Sequence, residues 1–472
     1  MAPTSLTSIK VLIAGEGKPT AMSTESQLTR LGLFDARVPR YTSYPTAPHF
    51  SASVDDGDFT GWIDQIAPGS RISLYIHVPF CRRLCWFCAC RTQGTRSDAP
   101  VRAYLDTLKA EIGMLARRLP EGVTLSRLHW GGGTPTLLTP DMMRELADTI
   151  FSAAPLHDDG EFSVEIDPNE IDEARLDVLA AAGMNRASIG IQDFDPQIQS
   201  VIGRIQSYDV TRDAVDLIRS RGIDSLNADI LYGLPHQSNE RIAESVQKLL
   251  SLSPDRVALY GYAHVPWMAR RQSMIPADAL PTPEARLKLY ETAKKLFLWD
   301  NYREIGIDHF ARAEDGLAVA LDAGKLRRNF QGYTDDTAPV LIGLGASSIS
   351  KFPQGYAQNL SGTSDYTARI RDGRFATGRG HTFTEDDNLR ARMIEALMCD
   401  FRIDAAEITE TFDISKARLN EMFQEVADGF PGFIDLSNEG FAIVEEGRPL
   451  TRMIARGFDA YDLSKAGHSS AI

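Results

Sequence analysis

Four of the five cysteines fall in one short stretch, "CRRLCWFCAC", at Cys81, Cys85, Cys88 and Cys90. The fifth, Cys399, stands alone far downstream. Spacing of C-x3-C-x2-C-x-C admits a disulfide knot, a zinc site, a redox pair or an iron–sulfur centre. Five cysteines, an odd number and mostly clustered, do not suit a secreted disulfide scaffold in a chain of 472 residues. Structural zinc usually takes two separated Cys or His pairs, and no second pair follows. Iron–sulfur ligation suits the spacing better, because thiolates in one tight loop can wrap a single cube. Three thiolates would leave one iron open to a small molecule, making such a site catalytic as well as electron-carrying.

The apolar run "ISLYIHV" (72–78) reads as the strand that delivers this loop. Further β-rich runs follow at 125–130, 162–167, 186–192, 225–232 and 257–263. Helical patterns separate them. Between the first two, Val101, Tyr104, Leu105, Leu108, Ile112 and Leu115 recur at helical spacing, with Pro100 where a helix starts. Six βα units with right-handed crossovers predict an α/β fold, an incomplete (β/α)6 TIM-like barrel, with an open doubly wound sheet as the alternative. Chemically able residues gather at the strands' C-terminal ends: the cysteines, "GGGTPT" (131–136), Glu165, Gln192, Asp229 and His264. That rim is where parallel barrels build active sites.

The stretches 303–312 and 340–350 read as further strands or turns around the same site. From 383 to 403 the pattern is helical, and 432–444 reads as a hairpin around Asn438-Glu439-Gly440. Helices plus a hairpin resemble a winged helix; a lid or packing domain fits the acidic chain better. The expected organisation is a partly disordered leader (1–36), an N-terminal segment packing on the barrel (37–70), the barrel with its extension (71–355) and a mostly helical C-terminal domain (356–472). Met22 resembles a natural start, which would make the first 21 residues an upstream start choice or disordered leader. "SKAGHSSAI" at the end reads as disordered.

A net charge of -14 argues against a general binder of nucleic acid. No apolar run reaches the length of a membrane span, and the N-terminal stretch lacks a convincing signal-peptide cleavage site. The expected location is the cytoplasm.

C-x3-C-x2-C with an aromatic, Phe87, before the third cysteine resembles the signature of radical S-adenosylmethionine (SAM) enzymes. Taken with "YTSYPT" (41–46), "LHWGGGTPT", "VEIDP" (164–168), "GIQDF" (190–194), "DILYGLP" (229–235), "YAHVP" (262–266), "RNFQGYT" (328–334) and "YAQN" (356–359), the chain resembles the oxygen-independent coproporphyrinogen III oxidase family from about residue 37 to 460. A haem-binding or haem-delivery branch of the same group shares the three-cysteine core but typically lacks the fourth cysteine and carries an HNxxYW motif, absent here. One departure is Ala89, where the family often has Gly.

The resemblance implies that Cys81, Cys85 and Cys88 hold a [4Fe–4S] cluster whose fourth iron takes SAM, and that two SAM molecules bind per site. It places Tyr75, Phe87, Gly132, Gly133, Thr134, Glu165, Gln192, Arg204, Asp229, Ala263 and Ile349 around SAM, with Gly131 in the same turn. Tyr75, His77 and Cys90 are candidate catalytic residues, Cys90 without an assigned role. Read alone, a glycine-rich turn is usually only a turn, Glu165 and Asp229 surface or capping acids, and Tyr75 with His77 a core pair sharing one strand face. Arg40, Arg82, Arg83 and Arg328 are candidate partners for substrate carboxylates. "GLGASS" (343–348) lacks the third glycine of a dinucleotide turn. The implied reaction is radical decarboxylation of two propionates of coproporphyrinogen III to vinyl groups, giving protoporphyrinogen IX, in a monomer served by an external one-electron donor such as a flavodoxin or ferredoxin.

Overall fold

A computed structural model describes residues 26–462 and 470–471. The expectations for residues 1–21, and for most of the C-terminal "SKAGHSSAI", lie outside the described residues.

Six strands build the centre: β1 (Arg71–Val78), β2 (Thr124–Gly132), β3 (Leu156–Ile166), β4 (Arg186–Gln192), β5 (Ser225–Tyr232) and β6 (Arg256–Gly261). Each pairs in parallel with the next in chain order. β1 and β6 do not pair with each other, so the barrel is incomplete. At one edge β6 takes β8 (His309–Ala311) and then β7 (Arg303–Ile305), both antiparallel. At the other, β1 takes β11 (Leu341–Leu344) in parallel, followed by antiparallel β12 (Ile349–Phe352), β13 (Gly355–Asn359) and β14 (Thr377–Thr382). A separate hairpin joins β9 (Arg327–Asn329) to β10 (Gly332–Thr334). The sheet therefore runs on past residue 355, to Thr382. β3 starts six residues before the expected run and ends before Asp167.

The crossover helices form because their apolar residues recur on one face and their first turns are capped. α1 (Asp56–Ile63) opens with a capping box on Asp55. α2 (Ala99–Ala116) buries Val101, Tyr104, Leu105, Leu108, Ile112 and Leu115, the predicted stripe. α3 (Pro140–Ala153), α4 (Glu173–Ala181), α5 (Tyr208–Arg219), α6 (Asn239–Ser251) and α7 (Pro283–Trp299) start behind Thr139, Asp172, Ser207, Ser238 and Thr282, whose side chains accept from first-turn N–H groups. α8 (Thr363–Arg371) lies on the outside of α2. Among the described residues no helix is long and apolar enough to cross a membrane.

Two main cores result. The larger joins the strands to their helices and to Phe59, Trp62 and Ile63 of α1. The second belongs to the C-terminal layer: α9 (Glu385–Asp400), α10 (Ala405–Thr411), α11 (Lys416–Ala427) and a three-stranded sheet ordered β15 (Arg402–Asp404), β17 (Gly440–Ile443), β16 (Ile434–Ser437). Leu33, Val38, Tyr41 and Tyr44 pack into this second core. The N-terminal segment thus bridges the layers, with Tyr41 donating to Asp459 Oδ2 at 2.9 Å.

"GLGASS" is a structural turn. A Cβ on Gly345 (φ +95°) would lie 2.5 Å from the Tyr104 hydroxyl and 2.6 Å from the His77 carbonyl oxygen. Its N–H donates to Glu111, which also accepts from Asn359 and Tyr366.

Candidate active site at the barrel rim

The rim is set by register. Tyr75 on β1 lies opposite His129 on β2, and His77 opposite Gly131. Gly343 flanks Tyr75 on the other side. Further round, Glu165 pairs with Ser188, Gly190 with Asp229, and Asp229 with Ala258. Side chains two apart on one strand share a face. Tyr75 and His77 accordingly meet, hydroxyl to Nδ1, at 2.9 Å, and the Tyr75 ring stacks on His129 at 5.8 Å.

Glu165 is tied into this group. One carboxylate oxygen accepts from the Gly132 N–H at 3.1 Å, while the other lies 3.3 Å from His129 Nε2. Gly132 (φ +109°) stands so near the His77 ring that a Cβ would lie 2.6 Å away. A Cβ on Gly133 would lie 2.5 Å from the Phe80 carbonyl oxygen. The Gly133 and Thr134 N–H groups donate to the Val78 and Phe80 carbonyls, at 2.9 and 2.8 Å. The glycine turn thereby holds the strand that leads into Cys81.

The cysteine loop closes where Phe80–Cys81 pairs with Gln93–Gly94. Its far side is anchored at several points. Trp86 N–H donates to the Ile202 carbonyl, and the Trp86 ring covers Gly203. Gln272 bridges the Phe87 and Ala263 carbonyls, at 2.7 and 3.1 Å. Arg271 donates to the Cys90 carbonyl at 3.0 Å. Arg204 reaches Cys85 Sγ at 3.6 Å, Asp167 at 3.3 Å and the Gly190 carbonyl at 2.7 Å.

Electrostatics separates the thiols. Burial pushes the Cys81 thiol up to about 11 and raises that of Cys85, against the pull of Arg204. A hydrogen bond from Cys90 draws Cys88 down to about 6, and the same contact holds the Cys90 proton well above its ordinary value. The Cys90 backbone N–H also donates to Cys88 Sγ, at 3.4 Å. Asp229, pushed up by burial to about 6, is held by Asn227 at 2.9 Å and repelled by Glu165.

A model of the radical SAM superfamily matches residues 75–249. The oxygen-independent coproporphyrinogen III oxidase of Paracoccus denitrificans is 66% identical over 96% of this chain and 100% of its own length. The chain belongs to the oxygen-independent coproporphyrinogen III oxidase family. A Cereibacter sphaeroides relative of the same description is 59% identical, over 94% of this chain and 98% of its own. The solved Escherichia coli structure described as "Coproporphyrinogen III oxidase (HemN)", a radical SAM enzyme, superposes with a TM-score of 0.86 at 36% identity, over 90% of this chain and 98% of that one.

Family membership implies a [4Fe–4S] cluster and SAM, and the residues fit both. Cys81, Cys85 and Cys88 are mutual electrostatic neighbours in one loop. Among the described residues no three His, Cys, Asp or Glu side chains converge on a point for a single ion. Cluster ligation instead takes its thiolates at separate irons. Buried Asn227 Oδ1 and Arg204 Nε have no partner among the described residues, as expected of a wall built for a polar ligand.

Of the expected site residues, direct contacts join Tyr75, His77, Gly132 and Glu165, and separately Arg204 and Cys85. Gln192 (φ +70°) and Arg204 both crowd Gly190. Ala263 reaches the loop through Gln272, and Ile349 touches Gly343, the neighbour of Tyr75. Sequence reading missed His129, Asn227, Asp167 and Gln272. Strand parity was the available signal for the first two: His129 lies two positions before Gly131, and Asn227 two before Asp229. Asp167 and Gln272 sit in loops without such a signal.

Proposed function

We propose that this chain catalyses oxygen-independent decarboxylation of two propionate side chains of coproporphyrinogen III to vinyl groups, giving protoporphyrinogen IX. The observation that carries the reading is the placement of Cys81, Cys85 and Cys88 at the rim beside the Glu165, Gly132 and Asp229 wall, in a chain that matches its relatives along their whole length. Cys81, Cys85 and Cys88 would hold the cluster. When bound, the cluster and SAM supply the one-electron chemistry that removes a hydrogen from each propionate, after which carbon dioxide and an electron depart.

The chain's own work is positioning. Gly132 and Gly133 leave room for the His77 ring and the Phe80 carbonyl, which sets the turn at the rim. Glu165 and Asp229 offer carboxylate oxygens to hydroxyl or ammonium donors, and Thr134, Gln192, Ala263 and Ile349 complete the wall. Arg204 fixes Cys85 and adds positive charge beside the thiolates. Tyr75 and His77 form a buried pair facing the same space. Trp86 and Phe87 keep water from the loop, which supports its redox chemistry. Cys90 donates to Cys88, a supporting role distinct from ligation.

Two SAM molecules per site, an external flavodoxin-like or ferredoxin-like donor, a monomeric state and a cytoplasmic location complete the proposal, each from family resemblance. The test is anaerobic reconstitution with iron, sulfide, SAM, reductant and coproporphyrinogen III. SAM cleavage with formation of a divinyl product is expected. Absence of both overturns the reading, and stoichiometric haem binding without vinyl product would favour a haem-delivery protein.

A further inference from the structure

A cavity of about 720 Å³ lies between the ends of β5 and β6, helix α7, the N-terminal segment and the C-terminal layer. Ala263 lines it, and Gln272 ties that residue to the Phe87 carbonyl of the cluster loop. The cavity is therefore one side chain away from the site described above.

Two guanidinium groups meet at its base. Arg40 donates to the Gly261 carbonyl at 2.6 Å. Arg286 lies over the Tyr232 ring, 5.8 Å from its centroid. Glycines make the room: a Cβ on Gly233 (φ +82°) would lie 2.6 Å from Arg286 Nη1, and one on Gly261 3.3 Å from Nη2. Arg286 Nε is buried and has no partner among the described residues.

Two of the carboxylates that line the cavity are already engaged. Glu304 is paired with Lys294 and Arg448, at 2.5 Å each, and Asp308 with His309 at 2.7 Å and Arg328 at 3.5 Å. Among the described residues no carboxylate lies within 4.0 Å of Arg40 or Arg286. The crowding has a cost. Burial, with Arg40 contributing, lowers Arg286 and pushes Arg452 down to about 9. Arg40 and Arg286 are half-buried and make no ion pair among the described residues, so an anion entering the cavity meets positive charge already in place. Tyr232 and the half-exposed Trp267 add aromatic surface to the same wall.

We infer that Arg40 and Arg286 hold carboxylates of the tetrapyrrole substrate, seating the macrocycle in this cavity with its reacting edge toward the cluster loop. This rests on the decarboxylase reading. Two of the four propionates survive into the product, so a clamp on those carboxylates serves both rounds of reaction. Guanidinium groups suit it because they bind carboxylates through two parallel hydrogen bonds.

The test uses the anaerobic holoenzyme and coproporphyrin III, a fluorescent tetra-acid that does not react, beside its tetramethyl ester. Arg286→Leu and Arg40→Gln should each weaken tetra-acid binding about tenfold or more. Arg286→Lys should recover part of it. The ester should bind wild type poorly and ignore the substitutions, and SAM affinity should stay unchanged. Equal tetra-acid binding by variants and wild type overturns the clamp, as does a loss confined to SAM. If wild type binds the tetra-acid through these arginines yet makes no vinyl product, the decarboxylase reading fails and the clamp stands. If wild type turns over and the variants keep its KM, the clamp alone fails.

Discussion

Arg204 places Nη1 3.6 Å from Cys85 Sγ across 119 positions of chain, while the same nitrogen pairs with Asp167 at 3.3 Å. A positive donor beside a cluster thiolate stabilises the added electron. Arg204→Ala should therefore shift the reduction potential to more negative values and slow SAM cleavage by about tenfold or more. Arg204→Lys should keep part of the potential. Redox titration followed by electron paramagnetic resonance reads the shift; an unchanged potential in the alanine variant would remove Arg204 from the tuning role.

Gly133 tests the turn mechanically. Its missing side chain leaves space that the Phe80 carbonyl occupies, 2.5 Å from where a Cβ would stand. Gly133→Ala must push the strand leading into Cys81, at a cost of about 1–3 kcal/mol. Lower Tm and reduced iron content should appear together. Full iron loading at wild-type Tm would show that the turn yields without disturbing the loop.

Cys90 and Cys88 are expected to separate by iron content. Cys90 is solvent-exposed and gives Cys88 Sγ a hydrogen bond from its backbone N–H at 3.4 Å, whereas Cys81, Cys85 and Cys88 are partly buried. Cys90→Ser should keep iron and sulfide near wild-type amounts while activity falls. Cys88→Ala should lose most of both. A colourless Cys90→Ser protein would make the fourth cysteine a ligand.

Asp229 carries a pH signature. Burial, with Glu165 adding to it, raises the carboxyl to about 6, while Asn227, Arg204 and His129 oppose the shift. In the proposed site the ionised form is the one that would accept hydrogen bonds from SAM. Affinity for SAM should thus hold above about pH 6 and fall as the pH drops below it. Asp229→Asn should bind SAM more weakly and lose the pH dependence. Calorimetric titration across that range decides the matter, and an unaltered profile in the variant would assign the pH response to another group.

The sequence by itself determined the parts that depend on local chemistry. β-rich runs marked β4 and β5 to the residue, and helical spacing marked the buried face of α2. The turn at Asn438 and Glu439 was legible between β16 and β17. Cysteine spacing alone pointed to iron and sulfide, because ligands within one loop need no distant partner. Tertiary structure decided whatever joins residues far apart in the chain. It put β8 on one barrel edge and β11 on the other, a choice that short strands do not encode in their own pattern. It also buried Glu111 under Gly345, Asn359 and Tyr366, and it brought Arg40 and Arg286 to one glycine-lined wall. An arginine in a sequence is by default a solvated surface group. Only packing shows that these two line one cavity with no carboxylate within 4.0 Å of either among the described residues.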